Sequence, residues 1–554
     1  MELPELDYVP TMPSVIRRAA ERFGDRDFIV MPDRRMTFNE AEAASRRVGR
    51  QLLAAGVTKG TRVGAILPQG TDWVVAWLAA TRIGALFMPL STAYKPVEVR
   101  RALRLGDIEH LIMSAELHGE DNAVFMEGVV PGLGATFGQL RSPLAPYLRT
   151  VWVNAERAPA WANTLQLDFR ATGVGPMVDE ELLVAVEAEV VPADLLLAVF
   201  TSGTSDVPKA PTHTHGNFFR HGANLARFEQ VTKDRRTFCA MPFFWIGGVG
   251  MVLNMALAIG HAVLCTERFD PEEAVDLMES EGVTKVSIWG QKLRSYLRTS
   301  GRDVSGIPAL AAIASATIAD RELSHGSMGM TETVGPYTSP GSEATRALPE
   351  ELRGSFGQFV TDVEYRIADP LTGVTLAGGE EGEVCVRGYS LMSGLYKKER
   401  HETFDDDGWY HTGDRGEVAD DCLFFRGRLS EMIKTSGANV APREVELVLE
   451  ASREVALAVV VGIPDPERGE IVAAALFPEV GETIDIDVIC ERARAELSTY
   501  KVPRRLLVLD LVELPQLPSG KPDRMLIRGL LSSLADGTAA GQHVVSSLAS
   551  ERES

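Results

Sequence analysis

Residues 195–209 have the sequence LLLAVFTSGTSDVPK, in which an apolar run passes directly into a loop of small polar residues. A continuous apolar run that ends in a Ser, Thr and Gly cluster predicts a buried strand followed by a loop. Small residues let the backbone approach a phosphate closely, consecutive backbone N–H groups form a concavity for an anion, and hydroxyls and a lysine add donors. The loop is therefore a candidate phosphate site, although loops of this composition also occur without a ligand.

The sequence before this loop predicts a parallel α/β architecture. Residues 38–55 have the periodicity of an amphipathic helix, residues 62–67 that of a strand, and residues 71–83 that of a second helix that ends at Gly84. Alternation of this kind is typical of βαβ units. Residues 119–175 are poorly periodic and rich in Pro and Gly, and we expect a loop-rich surface there.

The sequence after the loop predicts two further structural units. Short strands separated by turn signals from residue 383 onward indicate a β-rich subdomain, and the pattern becomes α+β after residue 428. Helices are predicted at 442–450 and 486–497, the second with Asp485 as its N-cap, and a strand at 456–461.

The predicted fold class is thus α/β, and we expect three parts along the chain. Residues 1–427 would form a large N-terminal domain of parallel-sheet α/β subdomains plus a β-rich subdomain. Residues 428–535 would form a small, mobile α+β C-terminal domain, and residues 536–554, rich in Gly, Ala and Ser, a flexible tail.

Composition and charge exclude several classes of protein. The 554 residues carry 56 basic and 77 acidic side chains, a net charge of −21, which argues against a general nucleic-acid binder. The longest apolar stretch, residues 246–264, is broken by four glycines and predicts a buried helix rather than a transmembrane segment. The five cysteines lie far apart without metal-ligand spacing, which favours reduced thiols in a cytoplasmic protein.

Four more segments carry groups suited to nucleotide chemistry. Residues 328–332, MGMTE, place a hydroxyl beside a carboxylate, which suits a phosphate held with Mg²⁺. Residues 409–414, WYHTGD, end in an Asp that can accept both hydroxyls of a ribose, and residues 427–434 and 517–521 each carry basic side chains near turns. Each segment alone is also explained by a helix cap, a turn or a solvated charge.

Taken together in this order, the five segments resemble the motifs of the adenylate-forming superfamily, which includes acyl-CoA synthetases, luciferases and the adenylation domains of peptide synthetases. The resemblance extends from about residue 38 to about residue 524. It implies that ATP activates a carboxylic acid to an acyl-adenylate, with Mg²⁺, and that the acyl group then passes to coenzyme A. Because residues 246–250 carry no charge, an apolar fatty or aryl acid is favoured as the small-molecule substrate.

The resemblance also implies a role for each matching residue. Nucleotide binding falls to Thr201, Ser202, Gly203, Thr204, Lys209, Met328, Thr331, Asp414 and Arg428, and Mg²⁺ binding to Glu332. Lys521 matches the catalytic lysine that stabilises negative charge during adenylation, and Lys434 belongs to the loop of the second half-reaction. The remaining matches are the hinge Ser430, the coenzyme A tunnel residues Ser436 and Gly437, and the acyl-pocket residues Trp245, Gly247 and Gly248.

The sequence departs from the family pattern at several of these positions. Asp206 and Ala210 replace glycines of the phosphate loop, Met328 replaces an aromatic residue that stacks on adenine, and Trp245 replaces a histidine. Ser315-Ala316-Thr317 replaces a Gly-Gly-Ala loop, and the chain from there to Met328 is shorter than usual.

These departures leave two hypotheses of different kinds. The chain is an active ligase, which Lys209, Glu332, Asp414, Arg428, Lys434 and Lys521 favour, or a nucleotide-binding relative that has lost catalysis. A carrier protein in place of coenzyme A stays open as the acceptor, and Gly247 and Gly248 either leave room for the acyl group or serve only their turn.

Overall fold

Two largely parallel sheets form the N-terminal part of the chain, as the alternation of helices and strands predicted. The larger sheet has the strand order Gly394–Leu395, Pro211–Thr214, Leu195–Ala198, Leu86–Pro89, Arg62–Ile66, His110–Ser114, Thr150–Asn154, Asn163–Leu165. The smaller has the order Lys285–Ser287, Arg236–Cys239, Ala262–Leu264, Asp27–Val30, Arg35–Thr37. The computed structural model describes residues 5–117, 120–133, 140–172, 176–201, 208–288, 292–315, 327–340, 352, 354–435, 438–465, 468–497, 500–517, 521–533 and 544–545.

Helices pack on and between these two sheets. The N-terminal α-helices are Met12–Phe23, Phe38–Ala54, Thr71–Arg82, Pro96–Leu105, Asn122–Val129, Glu180–Ala188, His215–Phe228, Asn254–Ile259, Pro271–Ser280, Lys292–Thr299 and Pro308–Ser315. Short 3₁₀ turns lie at Thr331–Thr333, Arg400–Glu402, Leu429–Glu431 and Leu511–Glu513.

The two helices predicted near the N-terminus begin and end for identifiable reasons. Phe38–Ala54 starts in a capping box: the Thr37 hydroxyl accepts from the Glu40 amide at 3.2 Å, and the Glu40 carboxylate accepts from the Thr37 amide at 2.8 Å. Thr71–Arg82 is buried on almost every side because it lies in the main hydrophobic core. It ends just before Gly84, whose φ of +76° favours glycine.

Two N-terminal expectations need correction. Residues 119–175 are not simply loop-rich surface, because Thr150–Asn154 is a largely buried strand that pairs in parallel with His110–Ser114. Its Val and Trp side chains supply β-propensity that the flanking prolines and glycines concealed. The buried helix expected within residues 246–264 is present, but its first part, Gly247–Leu253, is a π-helix.

The third sheet is antiparallel and confirms the β-rich subdomain. Its order is Thr338–Ser339, Gln358–Phe359, Cys422–Arg428, Tyr410–Ala419, Gly382–Gly388, Val363–Ala368. Two small hairpins stand apart from it, Gly329–Met330 with Gly335–Pro336 and Glu116–Leu117 with Glu120–Asp121.

The C-terminal part is the expected α+β unit. Its strands are Ile433–Thr435, Ala438–Val440, Val455–Asp465, Gly469–Pro478, Arg505–Val508 and Val544–Val545, and its helices are Pro442–Glu450, Ile486–Glu496 and Arg524–Ser533. The Asp485 carboxylate accepts from the amides of Asp487 and Val488, which confirms the predicted N-cap. The pair Val544–Val545 adds an edge strand to Arg505–Val508, and the rest of the predicted flexible tail lies outside the described residues.

Over the described ranges, none of the helices has the length and apolarity needed to cross a membrane. All five cysteines are buried and free of disulfides.

Candidate active site

Asp414 lies at the centre of the candidate site, on the strand Tyr410–Ala419. The residue is fully buried, and among the described residues neither carboxylate oxygen has a hydrogen-bond donor. The Arg428 Nε lies 2.6 Å from Oδ1 as an ion pair, but outside hydrogen-bond geometry. Burial raises the pKa of Asp414 to about 6, while Arg428 lowers it and the nearby Glu332 raises it further. A buried carboxylate with unfilled acceptor positions fits the two hydroxyls of a ribose.

The turn before Asp414 is held by the neighbouring strand. Glu383 Oε1 accepts from the Gly413 amide at 3.0 Å, and its Oε2 lies 2.7 Å from Nδ1 of His411. The Thr412 hydroxyl donates to the Val384 carbonyl at 2.6 Å and accepts from the Asp414 amide at 3.0 Å. These bonds fix the backbone that carries Asp414.

Next to this turn lie three potential metal ligands, Glu383 and Cys385 on the strand Gly382–Gly388 and His411 on the strand Tyr410–Ala419, whose donor atoms lie within 4.8 Å of one another. The imidazole of His411, however, already has a carboxylate on each side, since Asp405 Oδ2 lies 3.4 Å from its Nε2. Burial also raises the pKa of the Cys385 thiol to about 11, which disfavours the thiolate that a metal needs. The cluster is therefore explained as a His–carboxylate network.

Tyr337 is a site residue that the sequence did not indicate. Its side chain is fully buried, and its hydroxyl has no hydrogen-bond partner within the described part of the chain. Burial holds the pKa of Tyr337 well above its usual value, and the charges of Asp414 and Arg428 both act on this phenol. Like the Asp414 carboxylate, this hydroxyl has no hydrogen-bond partner among the described residues, so it is a second polar group that a bound molecule can satisfy.

Thr331 and Glu332 lie on a 3₁₀ turn next to this pair. The Thr331 carbonyl accepts from Nε2 of His213 at 2.7 Å, and the Asn217 amide lies 3.3 Å from the other ring nitrogen. Complete burial lowers the pKa of His213 to about 4, so the imidazole is neutral and its Nε2 carries the proton. Glu332 Oε1 accepts from the Tyr410 hydroxyl at 3.2 Å.

The candidate phosphate loop is closed at its base. The Thr201 amide donates to the Lys209 carbonyl at 2.8 Å, and the Lys209 amide donates back at 3.2 Å. The side chain of Lys209 is exposed. Residues 202–207, including Ser202, Gly203, Thr204 and Asp206, lie outside the described residues, so their predicted contacts stay predictions.

Lys521 approaches the site from the C-terminal part of the chain. Its positive charge acts on Asp414 and lowers the pKa of that carboxyl, as does that of Arg428. The turn that carries it is held by the Leu517 amide, which donates to the Lys521 carbonyl at 2.9 Å. Glu332, Asp414, Arg428 and Lys521 are thus brought together from four separate segments of the sequence.

The other C-terminal predictions concern Lys434, the hinge residue Ser430, and Ser436 with Gly437. Lys434 lies exposed on the strand Ile433–Thr435, and its amide donates to Glu470 at 2.9 Å. Ser430 lies in the 3₁₀ turn Leu429–Glu431, between the β-rich sheet and the C-terminal sheet. Ser436 and Gly437 lie outside the described residues.

The predicted acyl-pocket segment packs against the Thr331–Thr333 turn. A Cβ on Gly250 of the π-helix would lie 3.1 Å from the Val334 carbonyl. Trp245 is half-buried, and its carbonyl accepts from the Gly248 amide at 3.0 Å at the start of the π-helix. A Cβ on Gly248 would lie 2.4 Å from the Pro242 carbonyl oxygen, so this glycine permits close backbone packing rather than leaving a space. Met328 packs at the edge of the β-rich core.

Comparison with protein families gives two matches. Residues 16–396 match the family of AMP-binding enzymes, and residues 444–521 match the C-terminal domain of AMP-binding enzymes.

Individual relatives and structures agree with these matches. Feruloyl-CoA synthase of an Amycolatopsis species is 30% identical, with 88% of this chain and 92% of the relative covered. The 4-coumarate–CoA ligase 5 of Oryza sativa subsp. japonica is 28% identical, with 97% of each chain covered. ATP-bound MatB from Rhodopseudomonas palustris has the same fold with a TM-score of 0.75, at 21% identity and coverages of 94% and 99%. The anthranilate CoA ligase AuaEII in complex with anthranoyl-AMP has a TM-score of 0.77, at 20% identity and coverages of 97% and 100%.

Proposed function

Because the chain belongs to the AMP-binding enzyme family, and is therefore an acid–thiol ligase of the adenylate-forming type, we propose that it activates an apolar aryl or fatty acid and transfers the acyl group to coenzyme A. The observation that carries the proposal is the buried Asp414 carboxylate, which has no hydrogen-bond donor among the described residues and lies under the charges of Arg428 and Lys521. This arrangement favours catalysis over the alternative of nucleotide binding alone, because that alternative gives no role to Lys521.

Asp414 and its neighbours would bind the nucleotide. The carboxylate accepts the ribose hydroxyls, and Arg428 keeps it ionised at neutral pH. Neutral His213 donates to the carbonyl of Thr331 and so fixes the backbone of the residue whose hydroxyl would bind the α-phosphate.

Lys521 would act in the adenylation step. The acid carboxylate attacks the α-phosphorus, the bond to pyrophosphate breaks, and negative charge grows on the oxygens around phosphorus. A cation fixed beside them stabilises the transition state more than the ground state.

Mg²⁺ fits one residue of this site. Glu332 offers a carboxylate oxygen, the donor type that Mg²⁺ prefers, at the turn beside Thr331. When bound with ATP, the metal ion neutralises phosphate charge.

The acid itself is proposed from the relatives and from one segment. The relatives named above are a feruloyl-CoA synthase and a 4-coumarate–CoA ligase, which supports an aryl acid. Trp245 lies 5.2 Å from the Phe244 ring, centroid to centroid, next to the π-helix that packs on the Thr331 turn. An apolar, aromatic wall of this kind suits a planar aryl group and disfavours a charged one.

The test is ATP–pyrophosphate exchange with a panel of aryl, fatty and amino acids, followed by coenzyme A-dependent release of AMP. We expect exchange with aryl or fatty acids and an acyl-CoA product. Exchange with amino acids alone would contradict the proposed substrate class, and no exchange with any acid would favour the hypothesis of lost catalysis. Adenylation that proceeds to a thioester only with an added carrier protein would identify the carrier as the acceptor.

A further inference from the structure

One carboxylate of the C-terminal unit, Glu479, pairs with two arginines of the N-terminal part of the chain. Glu479 directly follows the strand Gly469–Pro478. Its Oε1 accepts from Arg294 at 3.2 Å, and its Oε2 accepts from Arg298 at 2.6 Å. Each carboxylate oxygen therefore has its own guanidinium partner from the other part of the chain.

The geometry of these three residues is well suited to holding the C-terminal unit against the N-terminal part of the chain. Arg294 and Arg298 are four residues apart on the helix Lys292–Thr299, so both point to the same side. Their side chains are only 9% and 28% exposed, and that of Glu479 is 15% exposed, so the pair is partly shielded from salt and water. Charge-assisted bonds in such surroundings are stronger than those of exposed pairs.

The position of this contact matters because the same sheet carries Lys521 to the site. The strand Gly469–Pro478, which Glu479 follows, pairs in parallel with Arg505–Val508. The segment after Arg505–Val508 leads to the turn of Lys521. In this arrangement the Lys521 charge reaches Asp414. We infer that Glu479 is a positioning residue, which docks the C-terminal unit through Arg294 and Arg298 so that Lys521 faces the nucleotide site.

The docking role of Glu479 does not depend on the proposed function, but its expected effect on the adenylation rate rests on it. With Glu479 neutralised, the two arginines lose their shared anion, and Lys521 spends less time at the site. The adenylation rate falls, whereas the nucleotide contacts of Asp414 and Arg428 stay in place, so the loss appears in kcat more than in the KM for ATP.

The kinetic test compares E479Q with wild type in ATP–pyrophosphate exchange. We expect kcat to fall about tenfold, which corresponds to roughly 1.4 kcal/mol. The matched control is E482Q, three residues further on, because Glu482 lies 3.9 Å from Arg453 of its own unit; its kcat should equal that of wild type. In a K521A background, E479Q should cause no further loss, since Glu479 acts through Lys521. A wild-type rate for E479Q, or an additional loss in that background, would overturn the inference.

A second test does not depend on activity. The native cysteines are all buried, so spin labels can be attached selectively at L371C in the N-terminal part and V512C in the C-terminal part, whose parent side chains are 95% and 94% exposed. In the absence of coenzyme A, we expect one narrow distance distribution for the labelled parent and for E482Q, and a broadened one for E479Q at an unchanged melting temperature. An unbroadened distribution in E479Q would refute the docking role, while absence of exchange in wild type would refute only the proposed function.

Discussion

At the residue scale, the ionisation of Asp414 predicts a pH dependence of nucleotide binding. The ribose hydroxyls need the ionised carboxylate, and burial raises the pKa of Asp414 to about 6. ATP affinity should therefore fall as the pH drops below about 6, by up to roughly tenfold per pH unit. Calorimetric titration with a non-hydrolysable ATP analogue from pH 5 to 8 measures this. D414N should bind weakly at every pH and lack this dependence, which separates it from the titration of the phosphates; a parallel pH profile in D414N would contradict the assignment.

The same pKa predicts a stability effect of opposite direction. The folded-state pKa of about 6 exceeds the ordinary value of 3.8, so between these values the folded state binds more protons than the unfolded state. The stability that Asp414 contributes at low pH is lost as the pH rises through 6. D414N, which stays neutral, should therefore melt no lower than wild type at pH 8, and a markedly lower melting temperature would show that the carboxylate is needed for the fold.

Tyr337 gives a second prediction at this scale. Its buried hydroxyl lacks a partner within the described residues, so removing the hydroxyl should not destabilise the free protein. If a bound nucleotide satisfies this hydroxyl, Y337F should raise the KM for ATP several-fold, the effect of losing a hydrogen bond worth about 1 kcal/mol. The melting temperature of the free enzyme and ATP saturation curves decide this. An unchanged KM with a lowered melting temperature would assign the hydroxyl to structure alone.

Sequence reasoning selected Asp414, Arg428, Glu332 and Lys521 as candidates because each lies in a short segment with recognisable neighbours. It missed His213 and Glu383, which bond to the backbone of candidate site residues, and Tyr337, whose buried hydroxyl has no hydrogen-bond partner among the described residues. His213 is defined by its bond to Thr331, 118 positions away, and Glu383 by its bond to Gly413, 30 positions away. Such pairings depend on strand register between distant segments, which the local pattern of residues does not encode.

At the element scale, the question for the π-helix Gly247–Leu253 is whether Gly248 permits close backbone packing or leaves room for an acyl group. A Cβ at Gly248 would meet backbone atoms of Met241, Pro242 and Phe243 at 2.4–2.8 Å, and backbone cannot move aside cheaply. G248A should therefore lower the free energy of unfolding by about 1–3 kcal/mol, as overpacking does. G529A is the control, because Gly529 lies in the helix Arg524–Ser533 with nothing within 4 Å of an added Cβ. Urea denaturation of both variants measures the difference, and equal stability of G248A and wild type would restore the idea that Gly248 leaves room for an acyl group.

Elements with strong periodicity were predictable from the sequence. Elements that depend on pairing or packing with distant segments were not. The helix Pro442–Glu450 has the predicted bounds, and Pro442 explains its start because proline is favoured in the first turn. The strand Thr150–Asn154 was missed because it lies in a segment whose prolines and glycines dominate the local pattern. The π-helix was also missed, since its sequence differs from that of a buried α-helix only in how its neighbours pack.

At the scale of the whole molecule, the C-terminal unit carries two lysines with different predicted tasks. Lys521 acts on Asp414 in this arrangement, whereas Lys434 lies exposed on the strand Ile433–Thr435. One placement of the unit therefore supports adenylation, and the transfer of the acyl group to a thiol would require a rotation near Ser430. The proposed rotation makes the ion pairs of Glu479 transient, because Arg294 and Arg298 belong to the part of the chain that stays behind.

This division of labour predicts that K434A separates the two half-reactions. ATP–pyrophosphate exchange should stay within about twofold of wild type, since the predicted role of Lys434 belongs to the second half-reaction alone. Thioester formation from a preformed acyl-adenylate should slow by about tenfold or more, the consequence of losing one charged contact worth roughly 1.4 kcal/mol or more. Single-turnover mixing of the purified enzyme–adenylate complex with coenzyme A measures the second step by itself.

K501A is the control, because Lys501 lies in the same unit and pairs with Glu444 there; both of its half-reactions should be unaffected. Equal losses in both half-reactions of K434A would contradict the rotation, because a single fixed arrangement of the two units would then serve both steps.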